Sequence, residues 1–418
     1  MKNFLKNYKS SLILLVAILA GGILGAILGP DAVKLEPFGQ IFLNLMFVII
    51  VPLVFFSVSS SIANMGGMKR LGKIMRNVVL VFVITSVIAG ILTIAGALLF
   101  QPTKGLDTKE IDSILSLSDE EAADAEELTI PQQLVKTITV NDFFGLFSRS
   151  NMLQLIVFSV IFGIATALAG EKASTMKTLL SGGSEVLMKM IHIIMYYAPI
   201  GLGCYFASIV GQLGPQILEG YLRAFLLYLG LSVIYYFGFY SLYAVTAGGK
   251  AGLKAFWRHI LPPSVTALAT CSSAASIPVN LEATKRIGVP KDIADTVIPL
   301  GTNTHKDGSV IGGVLKIVFL FGLFGKEMTS IPTLLSILAV GFLVGAVMGA
   351  IPGGGMIGEL LILSVYGFSA ELLPIIAVIS TIIDAPATVL NATGNTASTM
   401  LITRFTDGKK WLKQGAEQ

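Results

Sequence analysis

Residues 262–284 read PPSVTALATCSSAASIPVNLEAT, and the polar centre of this run decides what kind of fold the chain makes. The apolar arms on either side of the serines are too short to cross a bilayer twice, since a spanning helix needs about 20 apolar residues. A hairpin dipping in from one face fits instead. Lys254 and Arg258 precede it, and Lys285, Arg286 and Lys291 follow it, so it enters from the cytoplasmic side by the positive-inside rule. A second apolar stretch, 333–372, is broken at Ile351-Pro352-Gly353-Gly354-Gly355; starting and ending outside, it makes the opposite hairpin. Each hairpin has an Ile-Pro pair at its tip, Ile277-Pro278 and Ile351-Pro352. Each is followed by an apolar helix with a polar interruption, GTNTHKDGS at 301–309 and NATGNTAS at 391–398. Two such units entering from opposite faces are the trace of an inverted repeat. Non-helical backbone at membrane depth persists only where it is buried in protein or lines a wet cavity, so the units are expected to face each other around a site. The helix N-termini at the tips aim partial positive charge inward, and freed carbonyls can hold cations.

Asp384 supports that reading. It lies in VISTIIDAPATVLNATGN, flanked by apolar residues, and an ionisable group at that depth is functional by default. If the Gly and Pro runs merely joined ordinary helices, the polar segments would lie outside the membrane, which the setting of Asp384 contradicts.

The rest of the chain agrees with a bilayer as solvent. Of 418 residues 54% are hydrophobic and 13% charged, and mean hydropathy is +0.80, which excludes an ordinary water-soluble surface. Apolar stretches recur at roughly 11–29, 38–63, 77–100, 152–170, 188–210, 222–247, 309–325 and 373–403, each able to cross about 30 Å of hydrocarbon. The first follows Lys2, Lys6 and Lys9, lacks a small-residue cleavage site and is read as a retained helix. Gly21, Gly22 and Gly25 on it suit close helix packing, and Pro52 in the second span a kink. The formal charge of +4 is distributed unevenly. Lys69, Arg70, Lys73 and Arg76, then Lys172 and Lys177, then Lys250, Lys254 and Arg258, then Lys409, Lys410 and Lys413 fall in alternate connections, which places both termini in the cytoplasm. The acidic segment 101–130 is an extracellular solvated loop. Cys204 and Cys271 have neither metal nor disulfide spacing, no basic stripe suits nucleic acid, and no cofactor is implied.

In the order of its hairpins and interrupted helices, from QIFLNLMFVIIVPLVFFSV in the second span to NATGN in the last, the chain resembles the dicarboxylate/amino acid:cation symporter family. The resemblance implies an all-α polytopic membrane protein of eight transmembrane helices plus two re-entrant hairpins with inverted repeats. It also implies an elevator mechanism, a homotrimer in the lipid bilayer, and a plasma (inner) membrane location in a prokaryote. It divides the chain into scaffold spans 1–75, a third span 76–100 belonging to the transport domain, the acidic loop 101–130, and remaining scaffold and transport-domain spans 131–247. The transport core, 248–408, contains both hairpins and broken helices seven and eight; a cytoplasmic tail, 409–418, follows.

Carried over residue by residue, the resemblance gives Ser272, Ser273 and Ser276 at the first tip the role of holding a substrate carboxylate. Ala350, Ile351, Pro352, Gly353 and Gly355 at the second tip form a gate. Asp384 binds a substrate amino group, with Thr388 and Asn391 following it. Where acidic-substrate members carry an arginine, this chain has Ala387, and the lost bidentate carboxylate partner points to a small neutral amino acid such as serine, threonine or alanine. Asp384, retained, argues against a substrate with no amino group, because a buried unpaired carboxylate is costly. Asn-Met-Asp-Gly-Thr of sodium-coupled members reads His305-Lys306-Asp307-Gly308-Ser309 here. A late sodium-binding aspartate is Asn395, and a third-span tyrosine aligns with Phe82, near Thr85 and Ser86. These exchanges remove oxygen ligands that a hard cation needs and add an ammonium. The expectation is therefore a symporter coupled to protons or to no cation, with Lys306 paired to Asp307 in a former sodium site; the alternative is a sodium-coupled amino acid or dicarboxylate symporter. An intramembrane hydrolase using Ser272 or Ser273 with His305 is disfavoured because a serine-rich tip binds carboxylate without any reaction, and a dedicated anion channel needs no occluding hairpin.

Overall fold

The structure is a computed structural model and describes residues 2–63, 69–104, 139–148, 151–194, 196–213, 216–348, 354–369, 372–408 and 411–414. Among the described residues there is no strand. Helices α1 (Lys2–Leu28) and α2 (Glu36–Ala63) are joined by a tight turn of helix at Gly29–Leu35, and α3 (Lys69–Phe100) follows. Then come α4 (Met152–Leu168), α5 (Ser174–Ile194) and α6 (Ala198–Leu213). Helix α7 (Gln216–Val233) passes through a widened turn, Ile234–Phe239, into α8 (Tyr240–His259). The C-terminal half contains α9 (Leu261–Thr270), α10 (Ile277–Ile287), α11 (Lys291–Thr304), α12 (Asp307–Leu323), α13 (Ile331–Val347), α14 (Gly354–Tyr366), α15 (Leu373–Asp407) and α16 (Trp411–Gln414).

Four helical runs among the described residues are long and apolar enough to cross a membrane: Val16–Phe42, Gly72–Phe100, Ile217–His259 and Leu373–Asp407. Shorter apolar helices cover Val51–Ser60, Val157–Leu168 and Ile331–Val347. Large apolar side chains stand outward in helical rows, such as Val79, Leu80, Val83 and Ile84 on α3. Water would not tolerate so continuous an apolar face, whereas lipid does.

Two groups of helices pack internally. In one, α1 lies on α6, and α2 packs on α4, α5 and α6. The α1–α6 approach requires glycine: a Cβ at Gly21 would sit 2.2 Å from the Gly203 carbonyl oxygen, and one at Gly25 2.3 Å from that of Ala207. In the other group α15 is the axis, in contact with α3, α7, α8, α9, α10, α11, α12 and α14. Its side chains from Leu390 to Thr403 are all buried.

Where the first hairpin is expected, α9 and α10 touch and are joined through 271–276, with Cys271 in the left-handed region at φ 46°. For the second, α13 and α14 form the arms, while Ala350, Ile351, Pro352 and Gly353 lie outside the described residues. The interruption in helix seven is also present. His305 (φ −127°, ψ 111°) and Lys306 (φ −144°, ψ 79°) separate α11 from α12.

Two expectations require correction. The last helix is not broken at 391–398, since α15 runs unbroken from Leu373 to Asp407. Its polar side chains bond within the helix: Thr393, Thr399 and Thr403 donate to the carbonyls four residues back, and the Asn395 amide donates to Asn391 O at 3.0 Å. Polar groups satisfied in this way need no break in the backbone. The apolar stretch 188–210 is not one helix, because α5 ends at Ile194, Tyr196 and Tyr197 form a turn, and α6 opens with Ala198-Pro199. Proline suits the first turn of a helix and disrupts continuation from the previous one. Beyond α15, the short helix α16 packs on α8. Trp411 is buried and its indole N–H donates to Ala247 O at 2.8 Å. Most of the acidic segment, from residue 105 onward, lies outside the described residues.

Candidate functional site

The break between α11 and α12 places His305 against α3 and α15. Its Nε2 lies 2.7 Å from Thr85 Oγ1, its Nδ1 lies 3.1 Å from Asn395 Oδ1, and its ring stacks on Phe82 with centroids 4.2 Å apart. Because the Asn395 amide already donates to Asn391 O, its oxygen accepts from Nδ1–H. Nε2 then stands between the Thr85 hydroxyl and the Asp307 carboxylate, whose Oδ1 is 3.1 Å away. A proton on Nε2 would therefore meet acceptors on two sides. Ser86 is buried at the next position of α3.

Asp307 is the first residue of α12, where the helix dipole favours an anion. It is 1% exposed, and among the described residues neither oxygen has a hydrogen-bond donor. The nearby tyrosines are committed elsewhere. Tyr235 donates to Thr85 O at 2.9 Å and meets Tyr243 at 3.0 Å, while Tyr240 donates to Leu390 O at 2.7 Å. One turn of α15 joins the same network: Ser309 N donates to Asn391 Oδ1 and Asn391 Nδ2 to Ser309 Oγ, both at 3.1 Å. The helices can meet here because residue 308 is glycine; a Cβ there would lie 2.5 Å from Ala387 O.

Asp384 occupies a different setting. Across 372–404 it is the one exposed residue of an otherwise buried or half-buried helix, so the core opens at this carboxylate. Thr388, one turn on, is within hydrogen-bonding reach, and the ammonium groups of Lys306 and Lys316 both act on it electrostatically. The expected Lys306–Asp307 pairing is thus corrected: Asp307 has His305 Nε2 beside it and no hydrogen bond from Lys306, which acts electrostatically on Asp384. The backbone explains this, since Lys306 is non-helical and Asp307 helical, which sends adjacent side chains in different directions.

One turn before Asp384 lies a second cluster. Lys316 Nζ donates to Glu359 Oε1 at 3.1 Å and to Ser380 Oγ, and the Ser380 hydroxyl also contacts Glu359 Oε1. The cluster joins α12, α14 and α15 across buried space, with Lys316 2% and Glu359 0% exposed. Sequence reasoning missed it, although the rule that singles out Asp384 applies equally: Lys316 and Glu359 are lone charges in apolar runs.

The first hairpin tip is built by its own hydroxyls. Ser276 Oγ donates to Ser272 O at 3.1 Å and Ser272 Oγ accepts from Ala275 N at 3.2 Å, with Ser273 buried beside them. It is fastened to α15 by Thr396, which donates to Asn280 Oδ1 at 3.1 Å and lies 3.5 Å from Thr284 Oγ1. Thr85, His305, Asp307, Ser309, Asn391 and Asn395 therefore form one connected centre. Lys306, Asp384 and Thr388 form its neighbour, while Ala387 packs against Gly308. Gly355 opens α14 with its Cβ position 3.4 Å from Ser380 Oγ and 3.7 Å from Glu359 Oε1.

Residues 11–405 match the sodium:dicarboxylate symporter family. The chain is similar to the proton/sodium-glutamate symport protein of Geobacillus stearothermophilus, at 28% identity over 417 residues covering 96% of each chain. It is also similar to the proton/glutamate-aspartate symporter of Escherichia coli, at 27% identity over 418 residues covering 96% of this chain and 94% of the relative. The C4-dicarboxylate transport protein of Cupriavidus pinatubonensis is 28% identical over 350 residues, covering 82% and 79%.

Proposed function

Because the chain belongs to the sodium:dicarboxylate symporter family, we propose that it is a cation-coupled symporter of a small substrate with two carboxylates, an acidic amino acid or a C4-dicarboxylate, driven by protons. This departs from the neutral amino acid expected from Ala387. The relatives are named for glutamate, aspartate and C4-dicarboxylates. The observation that carries the reading is that the buried core beside Asp384 holds two lysines, Lys306 at the junction before α12 and Lys316, whose Nζ bonds Ser380 one turn before Asp384. They supply positive charge from α12 and its N-terminal junction, without the arginine of the last helix. Lys306 also gives Asp384 a counter-charge, which removes the argument that the substrate must bring an amino group.

In this proposal the Ser272–Ser276 tip receives one substrate carboxylate, the second tip closes over it, and the coupling proton binds at a buried carboxylate of the core. Support for a proton over sodium comes from the His305 imidazole filling the space among Thr85, Asn395 and Asp307 where a sodium ion would need free oxygens. The trimeric assembly and elevator movement implied by the resemblance belong to the same proposal.

Uptake of labelled L-aspartate, L-glutamate, succinate and L-serine into proteoliposomes tests it, with an inward proton gradient and no sodium. Acidic substrates are expected to accumulate and a protonophore to stop them. Accumulation of serine without competition by any acidic compound refutes the substrate assignment; strict dependence on sodium refutes proton coupling.

A further inference from the structure

Glu359 and Ser380, the partners of Lys316, have no role in the site as described so far, yet the Lys316–Glu359–Ser380 cluster lies against that site on three sides. Ser380 precedes Asp384 by one turn of α15 and is half-buried rather than sealed. Lys316 acts electrostatically on Asp384. Glu359 Oε1 and Ser380 Oγ both approach the Cβ position of Gly355, at the mouth of the second hairpin. Glu359 is also only half satisfied. Oε1 meets Lys316 and Ser380, but among the described residues Oε2 has no hydrogen-bond donor although it is fully buried. A carboxylate oxygen without a donor in such a place is a position for a proton or a ligand donor.

Charge conservation in a buried site then restricts what can bind. Lys316 and Glu359 are balanced as they stand. A substrate carboxylate arriving at Lys316 would leave two anions against one ammonium in a low-dielectric space, which is strongly unfavourable. The balance is kept if one proton arrives with it. We infer that Lys316 takes the distal carboxylate of the substrate and that Glu359 takes the co-transported proton, the lysine exchanging its protein carboxylate partner for the ligand's. The proton comes from bulk water onto Glu359, whose neutral acid group remains beside Ser380, and it leaves when the substrate leaves and Lys316 recovers its original partner. No other bond is made or broken. The inference rests on the acidic-substrate reading above and gives that reading its coupling residue.

The surroundings of Glu359 contain few competing groups. α14 packs on α4, α12, α13 and α15. Helices α4 and α13 carry no titratable side chain; α12 carries Asp307 and Lys316, α15 carries Asp384, Arg404 and Asp407, and α14 itself carries only Tyr366 besides Glu359. Of these, Lys316 is the group bonded to Glu359.

Calorimetric titration of the purified full-length protein with L-aspartate and with fumarate, over about three pH units in which both ligands stay ionised, separates the possibilities. In the wild type, affinity is expected to weaken as pH rises, approaching about tenfold per pH unit for one linked proton. Glu359→Gln, which mimics the protonated acid, is expected to bind with no such slope. Lys316→Met is expected to lose at least about tenfold in affinity at low pH, the scale of one charge-assisted bond. Because a lone buried Glu359 destabilises that variant, the double variant Lys316→Met/Glu359→Gln, with both charges gone, serves as well: weak binding without a pH slope is expected. A Glu359→Gln protein that keeps the wild-type slope, or a double variant that keeps wild-type affinity, overturns the inference while leaving the acidic-substrate reading intact. A wild type that binds neither ligand at any pH overturns both.

Discussion

Replacing Lys316 by methionine should destabilise the protein more than replacing Lys316 and Glu359 together. The reasoning follows from burial. At 3.1 Å and an effective dielectric of about 20, two unit charges attract by about 5 kcal/mol, most of it offset in the intact protein by the desolvation of both groups. Removing the ammonium alone leaves that desolvation in place for Glu359 with one Ser380 hydroxyl as compensation, at a cost of about 3–5 kcal/mol. Removing both charges, as Lys316→Met/Glu359→Leu, restores an apolar interior between α12, α14 and α15 and should be close to neutral. At this chain length about 1 kcal/mol corresponds to about 2 °C, so the single variant should lose about 6–10 °C in Tm and the double variant should recover most of it. Thermal unfolding in detergent, followed by loss of the monodisperse peak in size-exclusion chromatography, reads both. Equal losses in the single and double variants, or additive losses from Lys316→Met and Glu359→Leu, would refute the coupling.

Gly308→Ala should cost about 1–3 kcal/mol, because its Cβ would meet Ala387 backbone at 2.5 Å and cannot be accommodated by a side-chain rotation; Gly72→Ala, with nothing within 4 Å, should gain about 0.5–1 kcal/mol in the same thermal assay. Trp411→Ala should lose about 3–5 kcal/mol, since the buried indole packs on α8 and donates to Ala247 O, and a loss near zero would show that the tail is not anchored. In the loop before α13, hydrogen bonds from Thr329 and then Ser330 hold the Glu327 carboxyl below its ordinary range. Its contribution is therefore complete above the unfolded-state value and disappears as pH falls through the lower folded-state value, so a wild-type advantage in Tm over Glu327→Gln should be present at neutral pH and vanish in acid.

The hydrophobic runs and alternating basic loops of this chain are enough to specify a polytopic helical membrane protein, because only helices or closed barrels satisfy backbone polar groups in lipid. Local break points are equally readable: the serine-rich turn at 271–276 just ahead of Pro278 and the polar pair His305-Lys306 lie where the apolar pattern is interrupted. Asp384 stands out for the same reason, as a charge among apolar neighbours. The polar run 391–398 misleads because composition cannot tell a broken helix from an intact one whose hydroxyls bond back to their own carbonyls. Partnership is what the tertiary structure alone decided. That Asp307 takes no hydrogen bond from the adjacent Lys306, and that Lys316, Glu359 and Ser380 meet although α12, α14 and α15 are far apart in the chain, depends on helix rotation and packing depth. Electrostatic energy in a low-dielectric interior depends on separation in space, and no spacing along the chain reports that separation.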